Sequence, residues 1–319
     1  MPGDTIPTGL LSTFDVGFFG GAAASATIHH DDLVDLVTIL DSFQTPLFSS
    51  APKVRARDVV HSWLVDSLTA TATAAIAEGL EFAADTLGSP TRLMNVTQIF
   101  SKHVIVSDRE RAANPAGIRD MYEYQIMKAF KEMARNAESR IWATAGSATG
   151  AEASIGPRMA GFRGFGISTA ASASGGVVLA DIITMSETLF NNGAEPDSMW
   201  FCPASKRQFY NVVSGNRVNT VNIAAVDHRL VANVDVFESP FGQLFAVITD
   251  RFIPIATASN VGAYFIGDRS MAKIAFFRPP QHKPMGKSGD HTRGITLMEL
   301  TLQLDHPSSW YATTGVTNG

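Results

Sequence analysis

From Val59 onward apolar and polar positions alternate. Val59, His61, Trp63 and Val65 fall on one face of an extended run and the residues between them on the other, the period of two that marks a β-strand. A stretch of small residues follows, through Gly79 to Gly88-Ser89-Pro90, and a second extended run returns over residues 93–106. The pattern predicts a two-stranded ribbon. Such a ribbon is marginal in water unless its apolar face is covered. About ten residues a side, at ~3.3 Å each, reach ~35 Å, whereas a chain of this length has an expected radius of gyration of only ~20 Å. The arm should therefore project past its own body, and a neighbouring subunit is the natural cover.

The period then becomes helical. Asn114-Pro115 supplies a cap and first-turn pair. Beyond it Ile118, Tyr122, Ile126, Phe130, Met133, Ala137 and Ile141 advance by three or four residues, with Lys128, Glu132, Arg135 and Glu138 largely off the stripe. Roughly 27 residues at 1.5 Å each give a helix of ~40 Å. A shorter helix is expected over 31–40, where Leu33, Leu36, Val37 and Leu40 keep helical spacing. Farther along, 179–190 reads as a helix stopped by Asn192-Gly193, 199–202 as a short buried strand and 205–213 as a helix. Residues 231–237 and 243–249 read as strands around a turn, and 272–277 and 295–304 as two closing β runs. No internal repeat is visible. Strands this irregularly spaced predict an α+β fold and not a doubly wound sheet.

Composition narrows the function classes. The 319 residues are 45% hydrophobic and 17% charged, which is ordinary for a globular protein. A net charge of -5 argues against tight, sequence-general DNA binding, though not against weak contact through a local patch. No apolar run approaches the ~18 residues of a membrane span. No basic segment precedes an apolar one at the N-terminus, so no signal peptide is expected. Residues 1–30, rich in Gly, Ala, Ser and Thr, read as a flexible arm. The lone Cys202 rules out internal disulfides and multi-cysteine metal sites. These features predict a soluble protein made in a reducing cytoplasm.

No catalytic or cofactor set stands out. Gly286-Lys287-Ser288 lacks the earlier glycine of a phosphate loop, because Gln281 occupies its place, and no helix pattern follows. The glycines of 161–166 are in the wrong order for a dinucleotide turn. His29-His30-Asp31-Asp32 reads better as a solvated helix start than as a metal site, and His282, His291 and His306 offer no zinc spacing. No Gly-x-Ser-x-Gly elbow occurs. Cys202, between Phe201 and Pro203, predicts a buried, inert thiol. Asp58, Asp66, Glu78, Glu81 and Asp85 make the arm acidic toward its tip, which serves either solvation or a charge match to Arg and Lys on a neighbour.

A set of short motifs runs in order through the chain. Thr45-Pro46-Leu47 and Ala51-Pro52-Lys53 are followed by His61-x-Trp63, Asp66-Ser67-Leu68 and Glu78-Gly79. Then come Arg92-Leu93-x-Asn95-x-Thr97-Gln98-Ile99-Phe100-x-Lys102 and residues 104–107. The second half carries Pro196-Asp197, Phe241-Gly242, Asp250-Arg251-x-x-Pro254, Phe277-Arg278-Pro279, Lys287-x-Gly289-Asp290 and Glu299-x-Thr301-Leu302. In order and spacing, from about residue 40 on, the chain resembles the major capsid proteins of tailed bacteriophages with the Hong Kong 97 fold.

The resemblance implies an N-terminal arm over 1–52 and an extended β-hairpin loop over 53–108 that lies across the adjacent subunit. It further implies a peripheral domain with a long spine helix over 109–164 and 271–319, and an axial domain over 165–270. The function implied is structural and not enzymatic, with no cofactor: hexamers and pentamers close into an icosahedral shell around double-stranded DNA. Maturation would be a shift between two packings of the same elements. Trp63, Ile99 and Phe100 would supply apolar burial between subunits, joined by Asp66, Glu78, Glu81 and Arg92. Implied partners are a portal, a separate scaffolding protein, since the segment before residue 45 is short for a fused one, and a decoration protein. Contact with packaged DNA would be weak, and no membrane is involved. The site would be the virion capsid, assembled in the bacterial host's cytoplasm. Some members of the family cross-link through a loop lysine, but none lies between Lys53 and Lys102, which implies a non-covalent shell. Two rivals are an encapsulin-like compartment, which would enclose cargo protein, and a soluble hydrolase.

Overall fold

A computed structural model describes residues 44–68, 78–79, 88–113, 120–143, 147, 156–172, 175–216, 235–254 and 262–316. In chain order the elements are α1 (Pro46–Ser50), β1 (Lys53–Arg55), β2 (Val60–Val65), β3 (Thr91–Val96), β4 (Gln98–Ser107), α2 (Asp108–Ala112) and α3 (Met121–Ile141). They continue with β5 (Ser168–Ala171), α4 (Leu179–Asn191), β6 (Ser198–Phe201), α5 (Pro203–Asn216), β7 (Val236–Glu238), β8 (Leu244–Thr249) and β9 (Gly262–Gly267). The last three strands are β10 (Ala272–Met285), β11 (His291–Leu304) and β12 (Trp310–Val316). The expected helix at 31–40 and the Asn114-Pro115 cap lie outside the described residues.

The strands form a four-stranded sheet, β1-β10-β11-β4, a six-stranded sheet, β5-β12-β9-β6-β8-β7, and the two-stranded ribbon β2-β3. Strands β10 and β11 are a long antiparallel hairpin running from Ala272↔Leu304 to Met285↔Arg293. The closing run predicted to end at 277 thus continues to Met285. Pro279 and Pro280 do not stop it, because β1 pairs with β10 only as far as Phe276. Beyond that point β10 is an edge, where a residue without an N–H is tolerated, and register shifts mark the place.

Helix α3 begins where the Asp120 carboxylate accepts from the Tyr122 N–H at 2.8 Å. Its 21 residues span ~31 Å. Ala129, Met133, Ala137 and Ile141 repeat every four residues on its buried face. Met133, Ala137 and Ile141 pack with Phe100, Ile274, Met298, Leu300 and Leu302 of the four-stranded sheet, and Ala129 with Val104 and Val106 of β4. Trp142, just past the helix, centres an aromatic cluster with Phe162 (5.0 Å between ring centroids), Trp200 (5.4 Å) and Phe265 (4.8 Å). Alternation then divides the six-stranded sheet. Trp200, Phe265, Ala263 and Ala312 join Trp142's side. Met199, Phe201, Tyr264 and Ile266 face Ile182, Met185, Leu189 and Phe209 of α4 and α5. A strand buried on both faces reads as the unbroken apolar run Met199-Trp200-Phe201. Position 267, the last of β9, takes glycine because a Cβ there would strike the Trp310 ring.

Two sequence expectations need correction. The returning run 93–106 is not one ribbon strand. It divides at Thr97, with β3 pairing to β2 and β4 pairing along its whole length to β11. The ribbon strands are therefore six residues each, ~20 Å, not ~35 Å. The expected 53–108 loop accordingly includes two strands, β1 and β4, that belong to the four-stranded sheet. The chain end likewise divides between sheets, because β12 pairs with β5 and β9.

Candidate assembly surface

The inner face of the β2-β3 ribbon is bolted to its own chain. Trp63 donates its indole N–H to the Leu304 carbonyl at 2.9 Å, and its ring lies 5.8 Å from that of Phe165. His61 Nε2 is 2.7 Å from Gln303 Oε1. Asn95, opposite His61, is fully buried. Its Nδ2 donates to the carbonyls of Ala160 (3.2 Å) and Leu302 (2.8 Å), and its Oδ1 accepts from the N–H groups of Val96 (2.9 Å) and Ala160 (2.8 Å). That is every hydrogen bond an asparagine side chain can make. The next residue but one, Thr97, closes the ribbon's base: its N–H donates to the Val59 carbonyl and its hydroxyl to the buried Glu299, which also pairs with Arg278 at 2.7 Å.

The outer face is different. Register sets Ser62 against Met94 and Leu64 against Arg92. Leu64 is 69% exposed and Met94 62%, and their polar neighbours Arg92 and Ser62 hydrogen-bond to each other. Leu68, just past β2, is fully open. Apolar side chains held in water on a rigid ribbon are candidates for contact with another surface.

The candidate residues are not brought to one surface. Trp63 is half-buried on the inner face, and Arg92 is exposed on the outer one. Asp66 and Glu78 are exposed, Glu78 in a turn with Gly79; Glu81 lies outside the described residues. Ile99 is 47% exposed on β4, whereas Phe100, on the opposite face of the same strand, is buried in the core beneath α3. Burial of Phe100 is thus complete within one chain. Leu64 and Met94 were missed. The counter-phase of the Val59–Val65 alternation points to Leu64, but Met94 needs the cross-strand register, which a long intervening loop leaves open.

Elsewhere, Gly286-Lys287-Ser288 follows β10 at the hairpin end, where Lys287 pairs with Asp108 at 2.5 Å. That ammonium and the Thr292 hydroxyl hold the Asp108 carboxyl below its usual range. Cys202 is buried against Ser205. Among the described residues no group of three or more His, Cys, Asp or Glu could hold a metal ion, and no helix is long and apolar enough to cross a membrane.

Comparison with known proteins follows the same lines. The family model described as SU10 major capsid protein matches residues 12–317. A major capsid protein of Escherichia phage Phieco32 is 23% identical over 323 residues, covering 85% of this chain and 90% of the relative. Among solved structures, the capsid asymmetric unit of cyanophage A-1(L) superposes with a TM-score of 0.66 at 12% identity, over 92% of this chain and 98% of the other. The holo-SrpI encapsulin complex of Synechococcus elongatus PCC 7942 gives a TM-score of 0.57 at 10% identity, over 88% and 93%.

Proposed function

The chain belongs to the SU10 major capsid protein family, and from that premise we propose how its ribbon serves assembly. It has the Hong Kong 97 fold, and it is a structural protein of the virion capsid that associates with copies of itself into an icosahedral shell. In our reading the ribbon's outer face, Leu64 and Met94, packs on an adjacent copy, while the inner face carries the load back to the sheet and α3. The exposure of those two side chains opposite a fully bonded face carries this reading. Burying each would contribute ~1.5–3 kcal/mol. Trp63 then acts as an anchor within the subunit, and Ile99, with the acidic Asp66, Glu78 and Glu81 and basic Arg92, extends the contact beyond the apolar pair.

The α3-covered four-stranded sheet corresponds to a peripheral domain and the six-stranded sheet to an axial domain, with 1–52 as an arm. Assembly takes place in the host cytoplasm on a separate scaffolding protein around a portal. The mature shell is non-covalent, is reinforced by a decoration protein and encloses DNA that it touches weakly. A compartment around cargo protein shares the fold; the family match supports the viral reading, and the contents of purified particles separate the two.

The test is the double variant Leu64→Asp/Met94→Asp in the full chain, expressed with its scaffold and viewed by negative-stain electron microscopy. The variant should be folded, soluble and unable to form shells. Shells of normal number and size would overturn the proposal.

A further inference from the structure

Between α3 and the edge strand β4 lies a cleft of about 430 Å³, lined by Gln98, Phe100, Asn136, Ser139, Arg140 and Ala143 and by no carboxylate. Arg140, in the last turn of α3, donates from Nε to Gln98 Oε1 at 3.2 Å and from Nη2 to the Met159 carbonyl. Gln98 Oε1 also accepts from the Met159 N–H at 3.2 Å. Two donors on one oxygen fix the orientation of that amide. Its NH2 group and Nη1 of Arg140 have no acceptor among the described residues. Asn136 and Ser139 are exposed on α3 beside them, and each can donate. A guanidinium fixed along one edge, with neutral amide and hydroxyl donors around it, is a set suited to phosphate oxygens.

The charge of α3 is arranged to match. Lys128, Lys131 and Arg135 advance toward Ser139 by three or four residues, a stripe along one side of the helix that ends at the cleft. From Lys128 to Arg140 it runs ~18 Å. The acids of the same stretch are engaged elsewhere. Glu132 pairs with Lys102 at 2.6 Å, and Glu138 is fully buried, accepting from the Leu47 and Phe48 N–H groups. Arg158, exposed immediately before Met159, adds a second guanidinium. Burial first, and then the Arg158 charge, push the Arg140 guanidinium below its ordinary range. Two full positive charges outweigh the ~0.5 negative charge at the C-terminus of a helix. Phe100, the large apolar side chain of the cleft, is buried, so the surface lacks the exposed anchor on which a protein interface centres. On a chain with a net charge of -5, this cationic track stands out. We propose that the Arg140 cleft and the stripe leading to it from Lys128 bind the phosphate backbone of duplex DNA, independently of base sequence. The inference rests on the reading above that the shell encloses DNA, and it assigns the place of contact.

The test is fluorescence anisotropy of a labelled duplex of about 20 base pairs, titrated with the full-length unassembled chain over roughly 20–150 mM salt. Wild type is compared with Arg140→Gln and with the double variant Lys128→Gln/Arg158→Gln. Each phosphate contact removed should flatten the log–log salt slope by ~0.9. The double variant should therefore lose ~2 of slope and about tenfold or more in affinity at the lowest salt, and Arg140→Gln about half that slope. Because Arg140 also ties Gln98 and Met159, the double variant, whose two side chains are exposed, carries the test should Arg140→Gln fail to fold. Unchanged affinity and slope in the double variant would overturn the proposal. A charge-matched polyglutamate peptide that bound wild type as tightly as the duplex would make the track a protein contact, and would overturn it too. Expressed with its scaffold, the double variant should form shells of normal size; loss of shells would assign the cleft to subunit contact instead. Wild type that bound the duplex as expected but formed no shells would overturn the shell reading and leave the DNA site standing.

Discussion

The two faces of the β2-β3 ribbon differ by a parity of one residue and do opposite things. His61, Trp63 and Asn95 point inward and spend their polar atoms on the same chain, His61 on the Gln303 side chain and the other two on backbone carbonyls of Ala160, Leu302 and Leu304. Leu64 and Met94 point outward and touch little. The lesson is that an isolated ribbon's need for cover does not by itself identify a partner. One face is satisfied at home, and only the remainder is available for assembly. A ribbon without the inner bonds would flex, and one without the outer apolar pair would have less to offer a neighbour.

Breaking the inner face should produce the largest effect on folding. Asn95→Ala strands the Ala160 N–H and the carbonyls of Ala160 and Leu302 in the core, at ~1–3 kcal/mol for each buried group left unpaired. We expect a loss of ~3–5 kcal/mol, seen as a lower denaturant midpoint of the unassembled chain. Trp63→Phe keeps most of the apolar contact with Phe165 and removes the bond to Leu304, for ~1–2 kcal/mol in the same assay. Leu64→Asp, the outer-face change, should shift that midpoint by no more than ~0.5 kcal/mol, because an exposed site carries little folding energy. A large folding cost for Leu64→Asp, or none for Asn95→Ala, would erase the distinction between the faces.

Much of this was legible in the sequence, and the rest was hidden for identifiable reasons. The alternation at Val59–Val65, the four-residue repeat from Ala129 to Ile141 and the apolar run of β6 are local signals, and each became the element it predicts. The division of 93–106 at Thr97 was not visible, because β-propensity continues unbroken through a residue that passes from one sheet to another. Phe100 and Ile99 are adjacent and equally apolar; which one faces the core depends on the pairing of β4 with β11, a contact across some 200 residues. Strands β9 and β12 went unread: Gly-Ala-Tyr-Phe-Ile-Gly and Trp-Tyr-Ala-Thr-Thr-Gly-Val are short and glycine-bearing, and they acquire strand form from each other and from β6. Glu138 reads as a surface acid because nothing in its local pattern reveals the Leu47 and Phe48 amides of α1 from which it accepts.

The central claim is that the ribbon's outer face is covered by another copy in the shell. Hydroxyl-radical footprinting of the methionines, in unassembled chain and in purified shells, reads that face directly, because a thioether oxidises according to its exposure. Met94 should oxidise readily in the free chain and be strongly protected in shells, while Met133, 1% exposed beneath the sheet, stays protected in both. Equal oxidation of Met94 in the two states would contradict the account.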